Sequence, residues 1–489
     1  MRLRRRAFLK GITVAPVLAA TPAFAVSQDV LVNDVHTGLN PTWVRSVVRA
    51  VSVAEIQALI KDCRRHGRSI SVSGSRHATG GQQFASHSVL LDMRGMNRVV
   101  DLDPRTGLLQ VESGIEWPSL MQGYLAAQRN DAEWGIRQKQ GGGDHMTLCG
   151  ALSANAHGHC LGSPPIAGDV EWIEIVTSDG TVTKCSRKEN AELFALAIGG
   201  YGLFGVITRI GLRLVPRRKV RRNVEARTLA ELMDLVEKRA ASGASFGYFQ
   251  YNIDETSPEF MRTGVLNTYE PVGPETALGK ETTDLNEDAL ASLLELAHRE
   301  PKRAYDHYAK CELSLDGNVE WSDLHQLSTY PLGYHKYIEK HLGAAFEGAD
   351  LIVEVYVPRN ELIPFLEAAR HLFLTSETPL IYGTVRFIEQ DQDTFLAWAK
   401  KRYACVIFTL HSSSEARALR KTGELCRQLM RGGTKRGGSF YLTYNRFAAR
   451  DELDSAYPQF GEFLALKKKY DPTELFQSDW FRHYKALYQ

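Results

Sequence analysis

Residues 52–67 read SVAEIQALIKDCRRHG, with apolar side chains three and four apart, so the spacing predicts an amphipathic helix. Ser52 and Glu55 stand where a capping box would start it. The period then changes. Residues 69–73 alternate as a short strand, Gly74 opens a loop of small residues, and further strands are predicted at 88–93 and 108–113. The order is helix, strand, loop, strand, with no repeating β-α-β unit in the pattern.

From Gly141 to Gly162 the chain is mostly Gly, Ala, Ser, His and Thr, a composition that lets main-chain N–H groups come close to a ligand. Strands predicted at 172–177 and 181–184 flank Ser178-Asp179-Gly180, a hairpin signal. A helix at 191–198 leads into a glycine-rich stretch and a strand at 206–215. Gly200, Gly202 and Gly205 spell GxGxxG, but a Rossmann fingerprint follows a strand and opens a helix; here the order is reversed, which excludes that reading. Beyond Pro216, strands are predicted at 246–254, 351–358, 378–389 and 404–411 between helical stretches. That texture indicates an α+β unit, an antiparallel sheet covered by helices on one face.

Length adds that 489 residues exceed the ~250–300 over which one core keeps growing, so two domains are expected. The first 25 residues stand apart: Arg2, Arg4, Arg5, Arg6 and Lys10 precede an apolar stretch that ends near Ala23-Phe24-Ala25, the pattern of a signal peptide. Arg5-Arg6-Ala7-Phe8-Leu9-Lys10 is similar to the twin-arginine motif, which implies export to the periplasm in the folded state. No later segment is apolar for long enough to predict a transmembrane helix. The leader carries five basic and no acidic residues, so its removal moves the formal charge from +2 to −3. A near-neutral surface gives no electrostatic reason to invoke nucleic acid. Seven dispersed cysteines without a CxxC pair predict no disulfide framework, with room for a single bridge. His157-Gly158-His159-Cys160 lacks a second ligand pair at zinc spacing, so no metal is expected.

Three separated blocks carry a family resemblance. Val72-Ser73-Gly74-Ser75-Arg76-His77-Ala78-Thr79-Gly80-Gly81, followed by Gln82, resembles the first FAD pyrophosphate loop of the vanillyl-alcohol-oxidase or PCMH-type FAD-linked oxidases. Thr147-Leu148-Cys149-Gly150-Ala151-Leu152-Ser153-Ala154-Asn155-Ala156-His157-Gly158 is similar to that family's second block. Gly202-Leu203-Phe204-Gly205-Val206-Ile207-Thr208 resembles its third. Tyr470-Asp471-Pro472 with Leu475-Phe476 looks like its C-terminal signature. The resemblance implies a two-subdomain FAD-binding domain from 40–215, a substrate cap from 216–430, and a return of 431–489 to the FAD domain. It implies FAD as cofactor, held by main-chain amides and Arg76, with His77 either bonded to the flavin 8α carbon or in non-covalent contact with the flavin edge. Cys149 and Cys160 read as packing residues.

The resemblance further implies oxidation of a CH–OH group on a sugar-, alditol- or aldonolactone-like small molecule, with electrons passed to oxygen or another acceptor. In that branch a strand carries E-x-R and a later strand a lysine. Here the matching residues are Thr384, Val385 and Arg386, and then Tyr441 and Tyr444. Arg386 fits the expected cation, whereas Thr384 stands in the place of the acid and Tyr444 in that of the lysine. The general base is left open among Tyr444, Tyr441, Glu389 and His411. Two other readings also stay open: a flavin dehydrogenase or reductase acting on a lipid-linked or apolar substrate, and an exported flavin-binding protein without catalysis.

Overall fold

A computed structural model describes residues 29–128, 133–279, 287–328, 340–343 and 347–489. The proposed leader, 1–25, lies outside the described residues.

The predicted first helix forms at Val53–Arg65. Ser52 Oγ accepts a hydrogen bond from the Glu55 amide, and the Glu55 carboxylate accepts one from the Val51 amide rather than from Ser52. This helix joins Ser46–Arg49 to Ile70–Ser73, and both strands pair in parallel with Val89–Asp92. The strand at 46–49 is absent from the sequence reading, so one β-α-β crossover exists where none was expected. Ile56, Leu59, Ile60 and Cys63 bury the helix's apolar face against these strands.

A five-stranded antiparallel sheet follows, in the spatial order Val182–Ser186, Val170–Val176, Val206–Arg213, Leu108–Glu112, Val99–Asp103. The Asp179-Gly180 hairpin closes its first pair, with Gly180 at φ 89°. The GxGxxG glycines lie between the helix Ala191–Ala197 and the strand Val206–Arg213, the reverse of a Rossmann turn. Gly205 has φ 145°, and a Cβ there would lie 2.7 Å from the Val176 carbonyl oxygen, so the chain passes too close for any side chain.

The remaining large element is an eight-stranded antiparallel sheet that includes Phe246–Tyr251, Gly348–Pro358, Leu380–Ile388 and Tyr403–Ser413. Lys219–Thr228 and Thr263–Val272, two ten-residue strands paired along their whole length, also belong to it. Lys219–Thr228 escaped the sequence reading because its outer face is polar, and Thr263–Val272 because both its faces are buried from Gly264 to Tyr269 and show no alternation. With helices on the sheets, the fold is α+β. Among the described residues no helix is long and apolar enough to cross a membrane.

The C-terminal segment packs back on the first sheet: Ile70 donates its N–H to Leu475 O at 2.7 Å and accepts one from Gln477 at 2.9 Å. The signature's Asp471 is fully buried, ion-paired with the equally buried Lys467, and accepts the amides of Leu475 and Phe476 at 2.9 and 2.8 Å. All seven cysteines are free thiols.

Candidate active site

The C-terminal end of the strand Ile70–Ser73 delivers a loop into a long cleft walled by three separate segments of the chain. Opposite the loop, Thr147 caps the helix Leu148–Ser153 by accepting a hydrogen bond from the Gly150 amide at 3.3 Å. The two segments press together so closely that a Cβ on Gly74 would collide with Thr147 Oγ1. A third wall comes from Gly202, Phe204, Gly205 and Ile207.

Of the residues singled out for cofactor binding, Ser73, Gly74, Ser75, Arg76, His77, Ala78, Gln82, Thr147, Gly150, Ala151, Ser153, Ala154, His157, Gly205 and Ile207 line this cleft. Three do not. Val206 turns into the core because successive strand residues face opposite sides, which leaves Ile207 on the wall. Gly158 lies behind it against the Lys139 carbonyl, and Gly81, at φ 76°, shapes the loop beside Asn40.

Several buried polar atoms on this wall have no hydrogen-bond partner among the described residues: Ser73 Oγ, Thr79 Oγ1, Arg76 Nε and both ring nitrogens of His77. Such atoms are costly unless a ligand satisfies them. Arg76, held at φ 65°, sets a cation there without a neutralising partner at its Nε. Together with the glycine cradle they fit the pyrophosphate and flavin of FAD. Burial, with His36 and His145 nearby, pushes the His77 imidazolium down to about 4, so the ring is neutral at physiological pH.

At one end of the cleft lies a polar cluster that the sequence reading missed. Glu354, in the strand Gly348–Pro358, accepts hydrogen bonds from Tyr444 Oη at 2.6 Å and from Tyr356 Oη at 2.9 Å, and its Oε2 lies 2.9 Å from His157 Nε2. Its signal was present: it is the one carboxylate in the apolar run LIVEVYVP, where a buried acid needs a reason. Burial raises its carboxyl pKa. His157, the Tyr444 hydrogen bond and Arg386 outweigh that and bring it down to about 2, so the carboxylate stays ionised. Burial and the adjacent Glu354 push the Tyr444 phenol well above its ordinary value, which makes it a proton donor at rest and removes it as a free base.

Arg386 lines the same end, its guanidinium packed so closely on Gly141 that a side chain there would collide with it. Tyr441 also lines the cleft, with its hydroxyl committed to the Ala154 carbonyl at 2.7 Å. The other candidates lie elsewhere. Thr384 is buried off the cleft, its hydroxyl donating to Phe249 O at 3.2 Å. Glu389 is ion-paired with Arg359 and Arg402, and His411 with Asp350. The cradle and the cluster are joined directly, because Gln82 Nε2 donates to Leu442 O at 2.8 Å beside the tyrosines.

Residues 44–186 match the family model described as an FAD binding domain. The chain is 23% identical over 440 residues to L-gulono-1,4-lactone dehydrogenase of Mycobacterium tuberculosis, covering 89% of this chain and 95% of that protein. It is 23% identical over 234 residues to a putative D-arabinono-1,4-lactone oxidase of Neurospora crassa (46% of this chain, 41% of that protein). Over 179 residues it is 29% identical to cytokinin dehydrogenase 1 of Arabidopsis thaliana (35% and 30%).

Proposed function

Taking as premise that the chain is an FAD-dependent oxidoreductase with a PCMH-type FAD-binding domain, we propose that it oxidises a CH–OH group of an aldonolactone-like sugar lactone and passes the electrons to oxygen or another acceptor. The observation that carries this reading is Glu354, ionised, buried and bonded to Tyr444 at the end of the cleft that Arg386 lines. When bound, FAD supplies the hydride acceptor.

The protein's part is positioning and proton handling. Tyr444 Oη accepts the substrate's hydroxyl proton as its own passes to Glu354 Oε1, and His157 holds Glu354 in place. Arg386 stabilises the negative charge that grows on the substrate oxygen. Ser73, Arg76 and the amides of the 74–79 loop would hold the pyrophosphate. His77, neutral and lining the cleft, keeps one ring-nitrogen lone pair with which to bond the flavin 8α carbon, which supports covalent attachment. Arg5-Arg6-Ala7-Phe8-Leu9-Lys10 supports export through the twin-arginine pathway to the periplasm, and fractionation of cells carrying Arg5→Lys/Arg6→Lys chains tests it.

The central test is anaerobic mixing of the FAD-loaded protein with L-gulono-1,4-lactone or D-arabinono-1,4-lactone. Bleaching of the flavin absorbance is expected; a flavin that stays oxidised with both lactones overturns the substrate assignment.

A further inference from the structure

In the eight-stranded sheet Asp350 of Gly348–Pro358 pairs directly with His411 of Tyr403–Ser413, so their side chains share one face. The helix Glu287–Arg299 brings His298 to the same point. His298 Nε2 lies 3.1 Å and His411 Nδ1 2.8 Å from the same oxygen, Asp350 Oδ1, and the two rings stand almost perpendicular at 81°. The site is closed to solvent: the side chains of His298 and Asp350 are each 1% exposed and that of His411 11%.

Two features go beyond an ordinary buried ion pair. His298 Nδ1 lies 2.7 Å from the Leu294 carbonyl, which can only accept, so Nδ1 carries a proton and Nε2 is the nitrogen left to face the carboxylate. Fixing the far nitrogen on a backbone carbonyl is how metal-ligating histidines are oriented. Second, Asp350 Oδ2 is buried with no hydrogen-bond partner among the described residues. All three ligand atoms lie within 4.8 Å of one another. The 2.8 and 3.1 Å separations are shorter than the ~3.3–3.6 Å edges of a tetrahedral site at zinc–ligand distances, so an ion would spread the three side chains by a few tenths of an ångström.

We propose that His298, Asp350 and His411 form a structural site for a divalent transition metal of the zinc class. Sequence spacing gives no hint of it, because the ligands are 52 and 61 residues apart and meet only through strand pairing and helix docking. The ion ties the helix Glu287–Arg299 to the strand that carries Glu354, about 13 Å further along at ~3.3 Å per residue. With no solvent-open face, the site takes no substrate.

The test uses flavin-loaded full chain and zinc chloride. Calorimetric titration after chelator treatment is expected to give one zinc per wild-type chain and a rise in Tm, with both lost in His298→Gln and His411→Asn chains whose flavin spectrum shows that they fold. Zinc binding that survives in these variants places the ion elsewhere and overturns the proposal. Should neither variant load flavin, anomalous diffraction from zinc-soaked wild-type crystals decides. A peak between the three side chains supports the site, and its absence means that protons alone hold the triad.

Discussion

Glu354 stands two strands from Thr384 in one cross-strand row, with Ile407 paired to both. The neighbouring row carries Arg386, Cys405 and Tyr356 in the same way. The acid missing from position 384 is thus supplied from another strand on the same sheet. Glu354→Gln is expected to retain FAD and lower the rate of flavin reduction by ~10²–10⁴-fold. Tyr444→Phe is expected to give a similar loss, and the double variant little more, because both act in one proton path. Stopped-flow reduction by a sugar lactone checks this.

The same carboxylate makes a stability prediction with a definite sign. Its pKa falls from an ordinary value near 4.5 to about 2 in the folded chain. The unfolded chain therefore binds more protons between these values, and the stabilisation is complete above about 4.5 and lost as pH falls towards 2. Melting curves of wild type and Glu354→Gln should be furthest apart above pH 5 and converge as the pH is lowered.

Acid precipitation of purified protein should leave the yellow colour in the pellet, and His77→Ala should release it to the supernatant. The neutral ring of His77 persists down to about pH 4, so attachment of added FAD to the apoprotein is expected to proceed at pH 5 to 7 and to fail as the pH approaches 4. Colour in the wild-type supernatant removes the covalent bond and leaves the cofactor.

Gly74→Ala places a methyl against Thr147 Oγ1 and should weaken FAD binding, in line with the ~1–3 kcal/mol typical of overpacking. Thr147→Ala in the same chain removes the obstructing oxygen. Affinity recovered in the double variant, measured by titration of the apoprotein with FAD, would locate the clash at this one contact.

Lys467→Met leaves Asp471 buried and unpaired and should cost about 3–5 kcal/mol. Adding Asp471→Leu should return part of that loss, although Leu475 and Phe476 lose the acceptor of their amides. Denaturant unfolding of the three chains gives the comparison.

The FAD cradle was legible in the sequence because its chemistry is local. Residues 73–78 and most of 147–154 line the cleft in unbroken stretches of small side chains, so the motif is contiguous. The helix Val53–Arg65 was legible for the same reason, its cap and its apolar stripe lying within sixteen residues. The catalytic end was only half legible. Arg386 and Tyr444 followed from the resemblance, but Glu354 meets His157 across 197 residues and Tyr444 across 90, through strand pairings that no periodicity encodes. Thr384 failed as a site residue because its hydroxyl is satisfied by the Phe249 carbonyl. The strand Lys219–Thr228 was missed because Arg221, Arg222, Asn223 and Glu225 dilute its alternation, and Thr263–Val272 because both of its faces are buried from Gly264 to Tyr269, which leaves no alternation to read.

The bonding of Leu475 and Gln477 to Ile70 lays a late segment of the chain beside the strand that feeds the cofactor loop. Fraying of residues 475–477 therefore also loosens the strand from which the loop starts, so the grip on the flavin and the docking of this late segment rise and fall together.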